Sequence, residues 1–582
     1  MKKRYLHLKK TALIIGLVGM GTASFAQQRL IGTVRTRSEY RDGVGNLPTY
    51  GGSGAGSVYT PNSDAGMFTS QRTNLLYGYK WTKLDFQVQL RDVRVWGQDA
   101  SSITNADGNK LFLHEAWGEF TIATASDTNC WLKVDNLSLK IGRQEIVYDD
   151  VRLLGNLDWL QQGRRHDAAI LKFLHKGYQL DLGAAFNQNA DAFGTRGVFY
   201  NPQNTTSAMT AHKSGVGFTV PLATPINTGG PLPVAATANP AGTNAIGQMY
   251  KSMQFLYGSR KWGQTKISAL VFKDDFAKYA DTANGGTARY YYTDKQVNSR
   301  WTMGANFTTQ IGNASGFGKI AIAGGGFTQK GNDKRGNNLD AYMANLSVTY
   351  MKGKFQVGPA IDYLSGNSDN DDKENPAKGG NVNGGYTTNR GFDPLYGTPH
   401  KWWGYMDYFY VGTGAPRGGL INAQLRAKYT ASRFFVTVDY HNFKSDGSLQ
   451  VGQNTKYTKD LGNEIDVVFN YNVNKFVNLE LGYSKYFGAT ESTQLAKGQV
   501  LASGLPSPNV RKSADWAYAM ITIRPDFLFV PPVAILSTTM NTDQLSTKVK
   551  ELQDQIDALK QKVDPTPVET TPEETTPPTE TK

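Results

Sequence analysis

Eight tight turns alternate with nine longer, mostly polar connections along this chain, and the segments between them have the length of β-strands. Seven turns are clear, at 80–82, 175–177, 262–264, 312–314, 351–353, 430–432 and 473–475, and a looser eighth lies near 126–129. Bacterial outer-membrane barrels join strands of about ten residues by short turns on one side and long loops on the other. The alternation therefore predicts an all-β, antiparallel transmembrane barrel in the outer membrane of a Gram-negative bacterium.

Polarity alternates with period two inside these segments, as it does in strands with one apolar and one polar face. In 84–91 the polar residues Asp85, Gln87, Gln89 and Arg91 alternate with Leu84, Phe86, Val88 and Leu90. A soluble sandwich also alternates, but many of these apolar faces end in Trp, Tyr or Phe, as aromatic girdles do. About 18 strands can be counted, centred near 34, 75, 88, 116, 137, 170, 182, 255, 269, 305, 322, 345, 359, 425, 438, 468, 481 and 519. That number leaves room for an aqueous channel.

The first 26 residues are typical of a cleavable secretion signal. Five basic residues precede a short apolar run from Thr11 to Met20, and Ser24-Phe25-Ala26 supplies small residues at the cleavage positions. We expect cleavage before Gln27 and a mature barrel over 27–530. The single cysteine, Cys130, is expected to be a buried or lipid-facing small residue.

Beyond the barrel we predict a linker over 531–541, a coiled-coil helix over 542–563 and a disordered tail over 564–582 rich in Pro, Thr and Glu. The predicted seam recurs with alternating four- and three-residue spacing and consists of Leu545, Val549, Leu552, Ile556, Leu559 and Val563. Self-association and docking to a periplasmic partner are both open, with the tail expected in the periplasm.

Charge suggests what such a channel would pass. The formal net charge is +13 for the whole chain, and +12 for 27–540 once the basic signal and the acidic C-terminal region are set aside. A basic lumen favours anions, and the predicted pore-lining residues are Arg35, Arg37, Arg41, Arg72, Arg91, Arg94, Arg143, Arg152, Arg164, Arg165, Arg300, Arg426 and Lys428. The alternative for any one of them is an ordinary ion pair with a wall carboxylate such as Asp85, Asp181, Asp439, Glu464, Asp466 or Glu480.

Three sequence blocks resemble the alginate-export family of outer-membrane barrels, in the branch found in Bacteroidota. The first is Gly142 to Asp167, with Tyr148-Asp149-Asp150-Val151-Arg152 and Arg164-Arg165-His166. The others are 91–97 and 395–408, the latter including His400-Lys401-Trp402. The resemblance implies an 18-stranded barrel with a basic lumen for an anionic polysaccharide such as a polyuronate. The 142–167 block would then line or constrict the pore, or else be a loop pinned by its own salt bridges.

Three functions are compared. A diffusive porin-like channel for small anions or an anionic polysaccharide is favoured. An outer-membrane hydrolase would have His166-Asp167 as its best acid–base pair, but no nucleophile motif accompanies it. An accessory barrel would recruit partners through the coiled coil. We expect outer-membrane lipid as a partner, and no catalytic residue, metal or cofactor. Nucleic acid is not expected either, because the basic residues are interleaved with acids along the strands. Asp369, Asp371, Asp372 and Glu374 are interpreted as a solvated acidic loop rather than a calcium site.

Overall fold

The structure is a computed structural model. It describes residues 27–48, 65–97, 111–127, 133–187, 212–214, 217–220 and 250–528, apart from short gaps at 285–286, 315, 334–335, 369–387, 412–415, 452–454, 489 and 502–504. Six residues of the C-terminal region, between 550 and 557, are also described. The predicted signal, Cys130, the acidic residues of 369–374 and every residue of the coiled-coil seam lie outside the described residues.

Eighteen antiparallel strands form one closed sheet, which confirms the predicted architecture. All 18 predicted centres fall inside strands. The strands are β1 (Gln27–Asp42), β2 (Gly66–Trp81), β3 (Leu84–Val95), β4 (Leu111–Thr124), β5 (Asn136–Gln144), β6 (His166–His175), β7 (Tyr178–Phe186), β8 (Ser252–Trp262), β9 (Thr265–Asn284), β10 (Thr287–Asn313), β11 (Gly318–Asn332), β12 (Asn338–Lys352), β13 (Phe355–Leu364), β14 (Leu420–Thr430), β15 (Phe434–Lys444), β16 (Asp460–Asn472), β17 (Val477–Phe487) and β18 (Ser513–Ile523). The barrel closes where β1 pairs with β18, from Val34 opposite Ile523 to Asp42 opposite Asp515.

Alternating polarity explains why these strands close into a barrel with a polar interior. On β3, Leu84, Phe86 and Leu90 are each nearly 40% exposed, whereas the intervening Gln87 and Arg91 are buried. Successive side chains of a strand point to opposite faces, so the exposed apolar face is the outer, lipid-facing wall. The buried polar face lines the lumen.

The seven clear turns lie where the sequence predicts them, and the looser eighth belongs to the β4–β5 connection, part of which lies outside the described residues. All eight connections are at one end of the barrel. One connection is different from the prediction. Residues 276–297 read as a long polar loop, but β9 and β10 extend through them as a paired hairpin. A short hairpin, His212–Ser214 with Gly217–Val220, adds to β10 at 290–293. The sequence of 276–297 has no sustained run of apolar residues recurring with period two, so counting by polarity does not identify the two strands.

Short elements decorate the loop end. They are Thr388–Asn389, paired in parallel with β12, a hairpin of Leu449–Val451 with Thr455–Tyr457, a 3₁₀ turn at Pro399–Lys401 and one α-helix, α1 (Thr490–Lys497). Among the described residues, no helix combines the length and the apolar character that a membrane crossing requires. The described residues between 550 and 557 are helical.

Two loop-end connections fold into the lumen. The first, 145–165 between β5 and β6, is here named the first lumen loop. The second, 388–411 within the β13–β14 connection, is named the second lumen loop. Both contact inward-facing side chains of many strands.

Candidate functional site

The first lumen loop spans the barrel interior from wall to wall. Its Asp149 accepts hydrogen bonds from Lys266 Nζ at 2.9 Å and Ser268 Oγ at 2.8 Å, both on β9. Only nine residues later, Asp158 bonds to Arg35 and Arg72 on β1 and β2. Strands β2 and β9 are seven neighbours apart in the ring of 18, so the loop crosses the lumen between nearly opposite walls.

The part of this loop around Asp158 contacts three guanidinium groups on the adjacent strands β1, β2 and β3. We name Arg35, Arg72 and Arg91 the arginine cluster. Asp158 Oδ2 lies 3.1 Å from Arg35 Nη1, and its Oδ1 lies 2.8 Å from Arg72 Nη1. Arg91 instead donates to Asn74 Oδ1 at 2.9 Å and to the Gln162 carbonyl at 2.8 Å. Two of the three guanidinium groups thus contact the Asp158 carboxylate, and Arg72 Nε has no acceptor among the described residues.

Asp158 remains ionised in this setting. Its side chain is 53% exposed to the lumen. Burial of its remaining surface acts to raise the pKa, but Arg72 and Arg35 prevail and hold the pKa of Asp158 at about 2. The carboxylate is therefore charged at neutral pH, and the loop presents an anion to the arginine cluster.

The second lumen loop is fixed to a different part of the wall. Buried Arg300 on β10 donates from Nη2 to Asp274 Oδ2 at 2.6 Å and from Nη1 to Asp393 Oδ2 at 2.7 Å. The Tyr396 hydroxyl donates to Asp274 at 2.8 Å. Further along, the backbone N–H of Met406 donates to Glu464 on β16 at 2.8 Å. The predicted wall acid Glu464 thus holds a loop backbone rather than an arginine.

The two loops are joined to each other. Leu154 and Tyr396 form a parallel β-bridge, in which the Tyr396 N–H donates to Leu153 at 2.9 Å and the Gly155 N–H donates to Tyr396 at 3.0 Å. Trp159 stacks on His400 with ring centroids 4.6 Å apart. Because backbone and aromatic contacts both cross the junction, the loops form one packed body inside the barrel.

Two arginines of the first lumen loop form further contacts, one with the barrel wall and one with the second lumen loop. Arg152 donates to Asp362 on β13 at 2.7 Å, also pairs with Asp150, and lies 3.6 Å from the Trp402 ring. Buried Arg164 donates to the Gly397 carbonyl. The central part of the 142–167 block, the first lumen loop, therefore lies in the lumen and is also pinned by salt bridges, so the two interpretations of it are compatible.

Backbone strain is concentrated in the same loops. Seven non-glycine residues with positive φ occur among the described residues, and all but Lys176 belong to the lumen loops. They are Asp149, Val151, Leu157, Leu395, Asp407 and Tyr410. Val151, at φ 65°, is β-branched, for which this conformation is unusual. Strained backbone of this kind persists where surrounding contacts over-determine it.

Other predicted pore residues have different positions. Arg94 is on the same face of its strand as the lipid-facing Leu90, and Arg143 is on the same face as Ile141. Both arginines therefore lie on the outer wall and not in the lumen. Arg94 pairs there with Asp92, and Arg143 pairs with Asp167. Period-two counting alone could have excluded them. Four of the predicted residues are at inward-facing strand positions. Arg37 and Arg41 both form ion pairs with Glu39, Arg426 pairs with Asp439, and the Lys428 ammonium lies over the Phe435 ring. The Arg165 guanidinium lies over the Phe112 ring.

His166 and Asp167 do not form an acid–base pair. Buried His166 Nδ1 lies 2.8 Å from the Tyr250 hydroxyl on the inner side, whereas Asp167 binds Arg143 on the outer side. Consecutive strand residues point in opposite directions. No cluster of three or more potential metal ligands occurs in the described part of the chain.

The sequence prediction missed the aromatic and acidic members of the site. Asp158, Trp159 and His400 are not among the predicted pore-lining residues, although all three belong to the blocks that carry the family resemblance. Arg37 lies 4.0 Å above the Trp159 ring, and Trp516 and Tyr518 on β18 contact it by their edges. The available sequence signal was Trp159, an aromatic residue that lies between Arg152 and Arg164 in the block that resembles the family.

Trp159→Leu is expected to loosen the junction of the two loops. Aromatic pairs and cation–π contacts contribute about 1 kcal/mol each, and this change removes several. We expect amide hydrogen exchange of Gly155 and Tyr396 to accelerate by about tenfold or more, using the same per-contact figure. Trp262→Leu, on the outer wall, is the control. Unchanged exchange in Trp159→Leu would show that the loops are held independently of the stack.

Comparison with known proteins gives one family and a set of similar folds. The alginate-export family model matches residues 60–187, which include β2 to β7 and the first lumen loop. The outer membrane protein OpdK of Pseudomonas aeruginosa is 10% identical, with a TM-score of 0.48, and the match covers 86% of this chain and 99% of that one. OccD3 (OpdP) of the same organism is 12% identical, with a TM-score of 0.47 and coverage of 86% and 92%. No curated protein matches the sequence.

The family match and the architecture agree. The matched segment includes the block that the structure shows folding into the lumen, and the surrounding sheet is a closed barrel with an apolar outer wall. This chain is therefore an 18-stranded outer-membrane β-barrel whose residues 60–187 match the model of the alginate-export family.

Proposed function

We propose that the barrel is a channel that passes anionic solutes by diffusion and that the arginine cluster binds their carboxylates. The observation that carries the proposal is the geometry at Asp158, a carboxylate held by Arg35 and Arg72 while half of its side chain faces the lumen. Guanidinium groups suit carboxylates because they offer parallel donors in a plane. Asp158 occupies the place that a solute carboxylate would take.

Charge balance around the lumen supports this choice. Two buried carboxylates on other walls are each bound to an arginine, Asp274 to Arg300 and Asp362 to Arg152. The arginine cluster has three guanidinium groups for the single carboxylate that contacts it. The net charge of +12 over 27–540 acts in the same direction. A polyuronate, with one carboxylate per sugar, is the proposed polymeric substrate.

The test is single-channel recording of the refolded mature protein in a planar bilayer with a salt gradient. We expect anion selectivity and block by added polyuronate. In Arg35→Gln with Arg72→Gln and Arg91→Gln, the reversal potential should shift towards cation selectivity and the block should weaken, because the attracting charges are gone. Lys330→Gln removes a charge from the outer face and serves as the matched control. Cation selectivity of the unaltered protein, or a triple variant identical to it, would refute the proposal.

An accessory role for the C-terminal region remains a second proposal. The helical conformation of the described residues between 550 and 557 supports a helix there. We propose that this helix self-associates or binds a periplasmic protein. Deletion of 541–582 separates the roles, because a channel should conduct without that region whereas an accessory barrel should lose its partner.

A further inference from the structure

Basic residues encircle the tight-turn end of the barrel. Each of the eight turns carries at least one lysine or arginine at or next to its strand ends, namely Lys80 and Lys83, Lys133, Lys176, Lys261, Lys319, Lys352 and Lys354, Arg433, and Lys475. Carboxylates occur at only two of the eight, as Asp85 and as Asp127 with Asp135. The turn end is therefore strongly positive.

The outward-facing charges near the loop end are arranged differently. There, acids and bases form neighbouring pairs on the outer wall, namely Asp92 with Arg94, Arg143 with Asp167, Lys273 with Asp275, Lys330 with Asp340, and Lys485 with Asp515. Each of these positive charges has a partner of opposite sign within the protein. The excess of positive charge is thus a property of the turn end and not of the whole outer wall.

Aromatic residues place the positive charges at the depth of lipid headgroups. Trp81, Trp262, Tyr178, Phe355 and Phe317 are exposed at this end, and all are at least 48% accessible. Exposed aromatic girdles mark the interface between hydrocarbon and headgroups. Lysines and arginines beside such a girdle lie where lipid phosphates lie.

One position combines these features most closely. Arg260 on β8 shares the outer face with Leu256 and Trp262. Its guanidinium lies 3.8 Å from the Tyr178 ring and 4.8 Å from the Trp262 ring. No carboxylate contact is found for it within the described residues, whereas the adjacent Lys261 lies on the inner face of the same strand. Two aromatic rings therefore orient the Arg260 guanidinium, and no carboxylate in the described part of the chain neutralises it.

We propose that the turn end binds anionic phospholipids through their phosphates and that Tyr178, Arg260 and Trp262 form its principal site. Short turns of outer-membrane barrels face the periplasm, so the ligands are lipids of the inner leaflet. A basic residue near an anionic lipid surface contributes about 1 kcal/mol, which corresponds to about a fivefold change in lipid affinity per charge.

The test is native mass spectrometry of the full mature protein, released from detergent with either phosphatidylglycerol or phosphatidylcholine added. We expect preferential retention of phosphatidylglycerol. Arg260→Gln should weaken that retention by about fivefold, one step of the change per charge, and Arg260→Lys should largely preserve it. Lys330→Gln is the control for a paired outer charge, and heat-modified gel migration verifies that each variant folds. Equal retention of the two lipids, or an unchanged preference in Arg260→Gln, would overturn the proposal.

Discussion

Replacing residues 147–163 by a short Gly-Ser linker is expected to raise the single-channel conductance several-fold. The first lumen loop crosses the interior between β9 and the arginine cluster, and an 18-stranded barrel without it has room for water. Its removal also uncovers Arg35, Arg72 and Arg91, so anion selectivity should increase together with conductance.

The design keeps the barrel itself intact. The wall groups that lose partners, such as Lys266 and Asp362, come to face lumen water, so they are not left buried and unpaired. Truncation of the β9–β10 hairpin between 279 and 292 is a control that removes a similar length outside the lumen loops. Asp158→Asn is a milder companion, expected to increase anion selectivity with a smaller gain in conductance. A linker variant that conducts like the unaltered protein would show that the loop does not limit the flow of ions.

Arg300→Leu is expected to destabilise the protein by about 3–5 kcal/mol, because it leaves a buried carboxylate without its cation. Arg300 and Asp274 have side chains only 3% and 0% exposed, and Asp393 of the second lumen loop shares the same guanidinium. The loss should therefore release the loop as well as weaken the wall. Urea unfolding in lipid or detergent measures the free energy.

Arg143→Leu provides the matched comparison. Its pair with Asp167 is on the outer face, with side chains 37% and 53% exposed, and such exposed pairs contribute about 0–1 kcal/mol. Adding Asp274→Asn to Arg300→Leu should recover part of the lost stability, since the unpaired charge is then removed. Equal costs for Arg300→Leu and Arg143→Leu would refute the special role of the buried pair.

The strands and turns could be predicted because their signals are local. Alternation such as Leu84 to Arg91 and turns such as Trp262-Gly263-Gln264 need only neighbouring residues, and all 18 strands were located in this way. The same counting, applied from Ile141 to Arg143, would have assigned that arginine to the outer wall. Its inclusion among pore residues was an avoidable error.

The lumen loops could not be predicted in the same way. Arg152 meets Asp362 across 210 positions, and Tyr396 meets Leu154 with no periodic pattern to indicate it. The predicted partners illustrate the limit, since Asp439 does pair with Arg426 but Glu464 binds the backbone of Met406. The local sequence shows which charged residues need a partner of opposite charge. Which partner each one has depends on the three-dimensional path of the loops.

The seam between β1 and β18 constrains how the molecule must be made. This pairing joins Val34 to Ile523, so β1, which is synthesised early, stays unpaired on one side until β18 has been synthesised. Until then the sheet has two open edges with unpaired backbone groups, which readily pair with other chains. Long-range pairing of this kind is intrinsically slow. Chains truncated before Ser513 lack the closing strand altogether, and they are expected to be the aggregation-prone species that a cell must hold or degrade.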